Sequence, residues 1–228
     1  MRPEEREPFE LPVTAPLAPP PDFSARLGAL GVTLDDAAVA KLGDFLGRLL
    51  AMNERMNLTA IVDPEAAWER HALDALSLVP LLADVPAGAS LLDVGSGGGV
   101  PGLPLAIARP DLAVTLVEAT QKKAVFLADV AEALGLANVT VYAERAEELA
   151  RSFGGRFDVV TARAVAKLAA LVPLTAPFAR AGGRLLLIKG QRAEEELTAA
   201  KRALRASRVT HQKTVSTPTG RIVVLVRG

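Results

Sequence analysis

The chain contains no cysteine. That excludes disulfides, thiolate metal sites and any chemistry built on a cysteine nucleophile, and it fits a reducing, cytoplasmic setting. Histidine is almost as scarce. His71 and His211 are the only two, and they lie too far apart in sequence to suggest a metal site by spacing. The single tryptophan, Trp68, has Leu73 and Leu76 nearby, which is the setting of a packing residue rather than of a base-stacking platform. Apolar runs are short and interrupted by charge or proline, so no segment reads as a membrane span. The amino terminus, "MRPEEREPFELPVTAPLAPPP", lacks the apolar core of a signal peptide, and its acids and prolines predict a flexible tail over residues 1–22.

Net charge is absent too, with 26 Lys and Arg against 26 Asp and Glu. The balance is uneven along the chain. From Arg180 to Gly228 eleven Lys and Arg face three Glu, a local charge of +8 that leaves −8 on the first 179 residues. Such a basic third suits contact with a polyanion, and it equally suits a set of solvated helix and strand faces.

What is present is enough apolar material for one core and a small extension, half of 228 residues. Phe23–Gly31 and Thr33–Asn53 have helical spacing, the second through Leu34, Ala38, Leu42, Phe45, Leu46, Leu49 and Leu50. Thr33 is its expected N-cap. Pro64 suits the first turn of a further helix running to about Ala83. The rhythm then changes to five strand–helix repeats, with strands at 91–94, 113–118, 139–143, 157–162 and 184–188. Two further strands, 209–217 and 221–227, are joined by "PTG" as a hairpin. The pattern predicts an α/β protein: a helical extension over residues 23–85, then a mostly parallel seven-stranded sheet over residues 86–228, closed by an antiparallel hairpin. A strand–helix sheet finished by an antiparallel hairpin resembles the Rossmann-like fold of class I methyltransferases.

The stretch "LLDVGSGGGVPGLPLAI", Leu91 to Ile107, is a buried strand that runs into glycines and opens a helix. Glycine lets backbone approach a ligand closely and adopt positive φ, as a nucleotide-type cofactor at the end of a first parallel strand requires. The dinucleotide pattern G-x-G-x-x-G fails at Val100, and no Gly-Lys-Ser/Thr follows for a phosphate loop. The order D-x-G-x-G-x-G resembles the S-adenosylmethionine loop of class I methyltransferases. That resemblance places Asp93 near the amino-acid portion of the cofactor and lays Gly95, Gly97 and Gly99 against it. Glu118 ends the second strand 21 residues beyond Gly97. An acid there takes both ribose hydroxyls, for S-adenosylmethionine and NAD alike. Ala119 follows it, and "RAEE", Arg145–Glu148, follows the third strand with Ala146 and Glu147 on the adenine side.

Two acceptor chemistries lack their residues. Cytosine C5 methylation needs a cysteine, and the Asp/Asn-Pro-Pro-aromatic tetrapeptide of amino methylation is replaced by "DVVTARAVA". A ring nitrogen with its own lone pair needs no base.

The ordered set "NERMNLTAI", "RHALDAL", "LLDVGSGGGVPGLPLAI", "LVEATQKKAVFL", "FDVVTARAVA" and "LLLIKG" resembles the glucose-inhibited division protein B family from Leu42 to the end of the chain. The resemblance implies transfer of methyl from S-adenosylmethionine to guanine N7 in the decoding-centre loop of 16S ribosomal RNA, with S-adenosylhomocysteine as product. It implies cofactor contacts at Gly95, Val100, Glu118, Ala146 and Glu147, and puts Arg163 in the cofactor and target pocket, where it is the candidate for alignment. No metal is implied. Asn57 reads as a helix-ending turn residue or as a polar group turned toward the target, and the resemblance selects the second. Arg70 and His71 are expected to bind RNA or brace the pocket. Lys122 and Lys123, at a helix start that disfavours cations, suit an external phosphate or plain exposure. Lys189, ending the fifth strand, is expected to touch RNA. The expected partner is small-subunit RNA, free or assembled, and the expected state a monomer. The alternatives are a methyltransferase of a small molecule or protein, and a non-catalytic nucleotide-binding module of ribosome assembly.

Overall fold

The computed structural model of the chain describes residue 11 and residues 14–228. Helices α1 (Phe23–Ala29) and α2 (Asp36–Met56) come first. The N-cap of α2 is Asp35 rather than Thr33, its side chain accepting from the Ala38 N–H at 2.7 Å. A carboxylate satisfies that orphan donor and also opposes the helix dipole. Leu42, Phe45, Leu46, Leu49 and Met52 form the buried stripe of α2.

Residues 14–17, expected as part of a flexible tail, instead lie along α2. The Leu17 N–H donates to the Gly43 carbonyl at 3.0 Å. A Cβ on Gly43 would collide with the Leu17 carbonyl, and one on Gly47 would sit 2.9 Å from the Ala15 carbonyl. Glycine inside a helix costs about 1 kcal/mol against alanine, and here it opens the groove that seats this segment. Residues 1–10, 12 and 13 of the expected tail lie outside the described residues.

The predicted helix after Pro64 is not continuous. It runs as α3 (Pro64–Ala67), a π-helical stretch Trp68–Leu73, α4 (Asp74–Leu76) and a 3-10 turn Val79–Leu82. Asp63 caps its start at the Ala66 N–H, 2.8 Å. In the wide turn the Asp74 N–H reaches back five residues to the Glu69 carbonyl.

The sheet follows, with β1 (Ser90–Val94), β2 (Ala113–Val117), β3 (Val139–Tyr142), β4 (Phe157–Arg163), β5 (Ala179–Lys189), β6 (Val209–Ser216) and β7 (Arg221–Arg227). Between them lie α5 (Gly102–Ala108), α6 (Gln121–Ala133), α7 (Ala146–Phe153), α8 (Leu168–Thr175), α9 (Ala193–Ala199) and α10 (Lys201–Ala206). The strand order is β3-β2-β1-β4-β5-β7-β6, parallel except for β7, which is antiparallel to both neighbours. The predicted α/β class and closing hairpin are therefore present. Its turn is held by the Gly220 N–H on Thr217 Oγ1, 2.9 Å. β5 starts five residues earlier than its apolar run, because Ala179–Gly183 continue its pairing edge past a bulge opposite Phe157.

Alternate residues of each strand feed opposite layers. Leu91, Val114, Val159, Leu186 and Val224 pack with α1, α2, α5 and α6. Leu92, Val117, Val160, Leu187 and Leu225 face α8 to α10. Burial on both faces explains why β5 reads "LLLI" without alternation. No helix among the described residues is long and apolar enough to cross a membrane.

Candidate active site

The parallel register builds the first half of the site. Val94 pairs with Val117, so the chain leaving β1 turns beside the end of β2. The Gly95 and Ser96 N–H groups both donate to the Val117 carbonyl, at 2.9 and 3.0 Å. Gly95, Gly97 and Gly99 have φ of +69, +55 and +94°. The turn is also crowded: a Cβ on Gly95 would lie 2.7 Å from a methyl of Val165, and one on Gly99 2.6 Å from Leu103. Both the conformation and the space call for glycine here.

Asp93 does not reach toward a ligand. It pairs with Thr161 across β1 and β4 and is fully buried under the loop. Thr161 Oγ1 donates to its Oδ1 at 3.0 Å, and the Gly102 N–H to its Oδ2 at 3.3 Å. Burial pushes its pKa up to about 6, against the pull of these hydrogen bonds. The expected contact with a cofactor's amino-acid portion is replaced by a bracing role: Asp93 ties the first N–H of α5 to the sheet and so shapes the loop above.

Glu118 is the buried acid of the loop. Its Oε2 accepts from the Gly97 N–H at 3.0 Å and its Oε1 from the Thr120 N–H at 2.8 Å. These bonds fix the carboxylate in plane at the carboxyl end of β2, each oxygen keeping a further lone pair. Beside it is a cleft of about 220 Å³, bordered by Gly95, Val117, Ala119, Ala146, Glu147 and Val165. The structure thus gathers Gly95, Ala119, Ala146 and Glu147 as the sequence pattern predicts. Val100 is buried within the loop and borders neither cleft.

A second cleft, about 460 Å³, opens over β4 and β5, with Thr59, Arg70, His71, Asp74, Arg163 and Lys189 in its wall. Arg163, the last residue of β4, donates from Nη1 to the Arg70 carbonyl at 2.7 Å and places Nη2 3.0 Å from His71 Nδ1. The carbonyl is in reach because the Asp74 N–H bonds to Glu69 in the π-helical turn. His71 is buried, and its Nε2 lies 3.0 Å from Thr59 Oγ1. Burial and the Arg163 charge push the imidazole down to about 3, so the ring is neutral. Asp74 is held by Thr219, whose N–H and hydroxyl both donate to its carboxylate.

The remaining expected RNA contacts fall elsewhere. Lys189 does border the second cleft, but its side chain is only 9% exposed and is bound to Glu196 at 2.9 Å and to the Ala166 carbonyl at 2.7 Å. Glu196 also accepts from the Leu168 N–H at 2.8 Å. Lys189 is therefore a clamp on the β4–α8 connection, not a free cation. That connection is a loop through Lys167, and Ala164 in it has φ of +57°. Asn57 ends α2 in the left-handed conformation and borders neither cleft. Lys122 and Lys123 lie in the first turn of α6, also outside both. Thr59, Asp74, Thr161 and Thr219 were not singled out from the sequence. Thr59 and Asp74 lie inside the quoted "NERMNLTAI" and "RHALDAL", and Thr161 inside "FDVVTARAVA", so the motifs held them without showing which atoms meet.

The fold and the glycine cradle with its buried acid define a class I S-adenosylmethionine-dependent methyltransferase. A methyltransferase of Aquifex aeolicus superposes with a TM-score of 0.54 at 15% identity, covering 72% of this chain and 93% of that one. The YcgJ protein of Bacillus subtilis superposes with a TM-score of 0.52 at 21% identity, over 62% and 70% of the two chains. These likenesses concern the fold. The sequence goes further: residues 38–223 match the family GidB, rRNA small subunit methyltransferase G, and the chain belongs to that family. The ribosomal RNA small subunit methyltransferase G of Sorangium cellulosum is 63% identical over 226 residues, 99% of this chain and 95% of that protein. The enzyme of the same name from Chloroflexus aggregans is 48% identical over 178 residues, 77% and 74% of the two.

Proposed function

We propose that this chain methylates N7 of a guanine in the decoding-centre loop of 16S ribosomal RNA, acting as a monomer in the cytoplasm. The observation that carries the acceptor is the state of the second cleft. Its one imidazole is neutral with partners on both ring nitrogens, and Asp74 is buried and bound by the Thr219 N–H and hydroxyl. An acceptor that needs no proton removed fits such a wall, and guanine N7 presents its own lone pair on the base edge. A hydroxyl acceptor, by contrast, must give up its proton to a base as it attacks.

The cradle fits S-adenosylmethionine, since its turn holds three glycines at positive φ that present backbone, and its acid ends the second strand as a ribose acceptor would. Bound there, the cofactor supplies a methyl group on a positively charged sulfur. Gly95, Gly97 and Gly99 expose backbone to it, Glu118 takes the ribose hydroxyls, and Ala119, Ala146 and Glu147 border the adenine. Asp93 holds the loop from below. Arg163 stands in the wall of the second cleft and orients the target, with His71 fixing its guanidinium. Arg70 borders the target side, and Asn57, Lys122, Lys123 and the exposed cations of the basic C-terminal third lie along the path of the RNA. Alignment and exclusion of water then carry the catalysis.

The test uses methyl-labelled S-adenosylmethionine with small-subunit RNA and with assembled subunits from cells lacking the endogenous methyltransferase. Label in 7-methylguanosine after digestion supports the reading. Label in another nucleoside overturns the acceptor. No label, with cofactor binding intact by calorimetry, points to a small-molecule or protein acceptor.

A further inference from the structure

We infer that Thr59 is a positioning residue for the target base: its hydroxyl is held as a hydrogen-bond donor into the second cleft, where it takes the O6 acceptor of the guanine. The inference rests on the guanine reading above and adds how the base is held.

The argument is one of valence. A guanidinium has donors only, so the contact between Arg163 Nη2 and His71 Nδ1, 3.0 Å, makes Nδ1 the acceptor. A neutral imidazole has one N–H, which must then be on Nε2. That N–H meets Thr59 Oγ1 at 3.0 Å and donates to it. The same oxygen accepts from the Ile61 N–H at 3.0 Å. Both lone pairs of the hydroxyl are thereby used, and its own hydrogen is the one valence left. The Thr59 N–H is taken by Asn53 Oδ1 at 2.8 Å, which fixes the backbone beneath. Thr59 borders the 460 Å³ cleft beside Arg163, so the free hydrogen needs an acceptor there. Guanine carries two acceptors side by side on one edge, O6 and N7, whereas adenine has a donor in place of O6. A donor facing O6 selects guanine over adenine and sets the neighbouring N7 at a fixed place in the cleft.

The experiment compares small-subunit RNA carrying guanine at the methylated position with the same RNA carrying 2-aminopurine, which keeps N7 and lacks O6. Wild-type protein, Thr59→Val and Thr59→Ser are assayed with both. Loss of one hydrogen bond predicts a drop of about tenfold in kcat/KM for Thr59→Val on guanine. The wild-type protein should fall by a similar factor on 2-aminopurine, where Thr59→Val should add nothing further. Thr59→Ser keeps the hydroxyl and should keep the rate on guanine. An equal Thr59→Val loss on both bases overturns the assignment, because the hydroxyl then serves some other atom or only the fold. No loss on guanine, or a Thr59→Ser loss as large as that of valine, also overturns it. Complete loss of turnover on 2-aminopurine overturns it as well, since one hydrogen bond does not account for it. The wild-type product on guanine is read separately: label outside 7-methylguanosine defeats the proposed reaction and not the valence argument.

Discussion

Arg163 and His71 lie 92 residues apart in sequence and 3.0 Å apart in the fold, and each fixes the other. The guanidinium sets the tautomer of the ring, and the ring anchors one of its terminal nitrogens while the Arg70 carbonyl anchors the other. Replacement of Arg163 by methionine removes a positive charge that lowers the His71 pKa. NMR titration of the ring should show a neutral Nε2–H form down to about pH 3 in the wild type and a higher pKa in Arg163→Met. Methylation should fall by at least tenfold. An unchanged ring titration would show that Arg163 does not hold the ring.

Stability should depend on acid through two groups of opposite sign. His71 is pushed down to about 3 from 6.5, so below pH 6.5 the unfolded chain binds a proton that the folded chain refuses. Its contribution is present above pH 6.5 and lost as pH falls toward 3. Asp93 is pushed up to about 6 from 3.8, so between those values the folded chain binds the extra proton. Its contribution is present below pH 3.8 and lost as pH rises toward 6. Asp93→Asn removes only the second. Urea denaturation between pH 6 and 4 should then show stability falling more steeply with acid than in the wild type, by up to about 1.4 kcal/mol per pH unit.

Glu118 holds the Gly97 and Thr120 N–H groups, and its chain neighbours Val117 and Ala119 border the first cleft. Glu118→Ala leaves two donors without their acceptor and should weaken S-adenosylmethionine binding by about a hundredfold, at a cost in stability of about 1–3 kcal/mol. Gly97→Asp meets open space, its nearest neighbour being the Gly95 carbonyl at 3.9 Å, in a conformation aspartate tolerates. It should fold, and it should lose cofactor binding because a second carboxylate stands beside Glu118. Calorimetry with circular dichroism checks both, and methylation by Gly97→Asp at the wild-type rate would remove the loop from the site.

Lys189 and Glu196 should behave as one unit. Lys189→Met removes the donor to the Ala166 carbonyl, and Glu196→Gln removes the charge that holds Lys189 there and weakens the bond from the Leu168 N–H. Hydrogen exchange over 164–168 should quicken in both, and activity should fall together. If Lys189 served RNA directly, Glu196→Gln would free it and keep or raise activity while Lys189→Met lowered it.

Much of the fold was legible because its signals are local. The apolar run of β1, the glycines after it and the start of α5 at Gly102 are set by neighbours within a few residues, and they stand where the pattern puts them. Boundaries moved where a local signal met a tertiary one. Thr33 and Asp35 are both competent caps, and the helix starts at the one whose carboxylate takes the Ala38 N–H. Val165 continues a helical pattern, yet it lies over Gly95, and the clamp from Lys189 keeps the chain ahead of Leu168 out of the helix. The helix after Pro64 carries no proline or glycine at Trp68–Leu73 to mark its widening.

By itself the sequence determined the sheet, the glycine turn and the acid beside it, because strand period, positive φ and the end of a strand are properties of short stretches. The roles of the polar residues were decided by tertiary structure. Asp93 lies beneath the loop because the register sets it against Thr161. Lys189 is withdrawn because α9 brings Glu196 back to it. Thr59, His71 and Arg163 form one hydrogen-bonded line only because the helical extension packs on the end of β4. A hydrogen bond is fixed by distance and by which atoms still have a free valence, and neither is written in residue order.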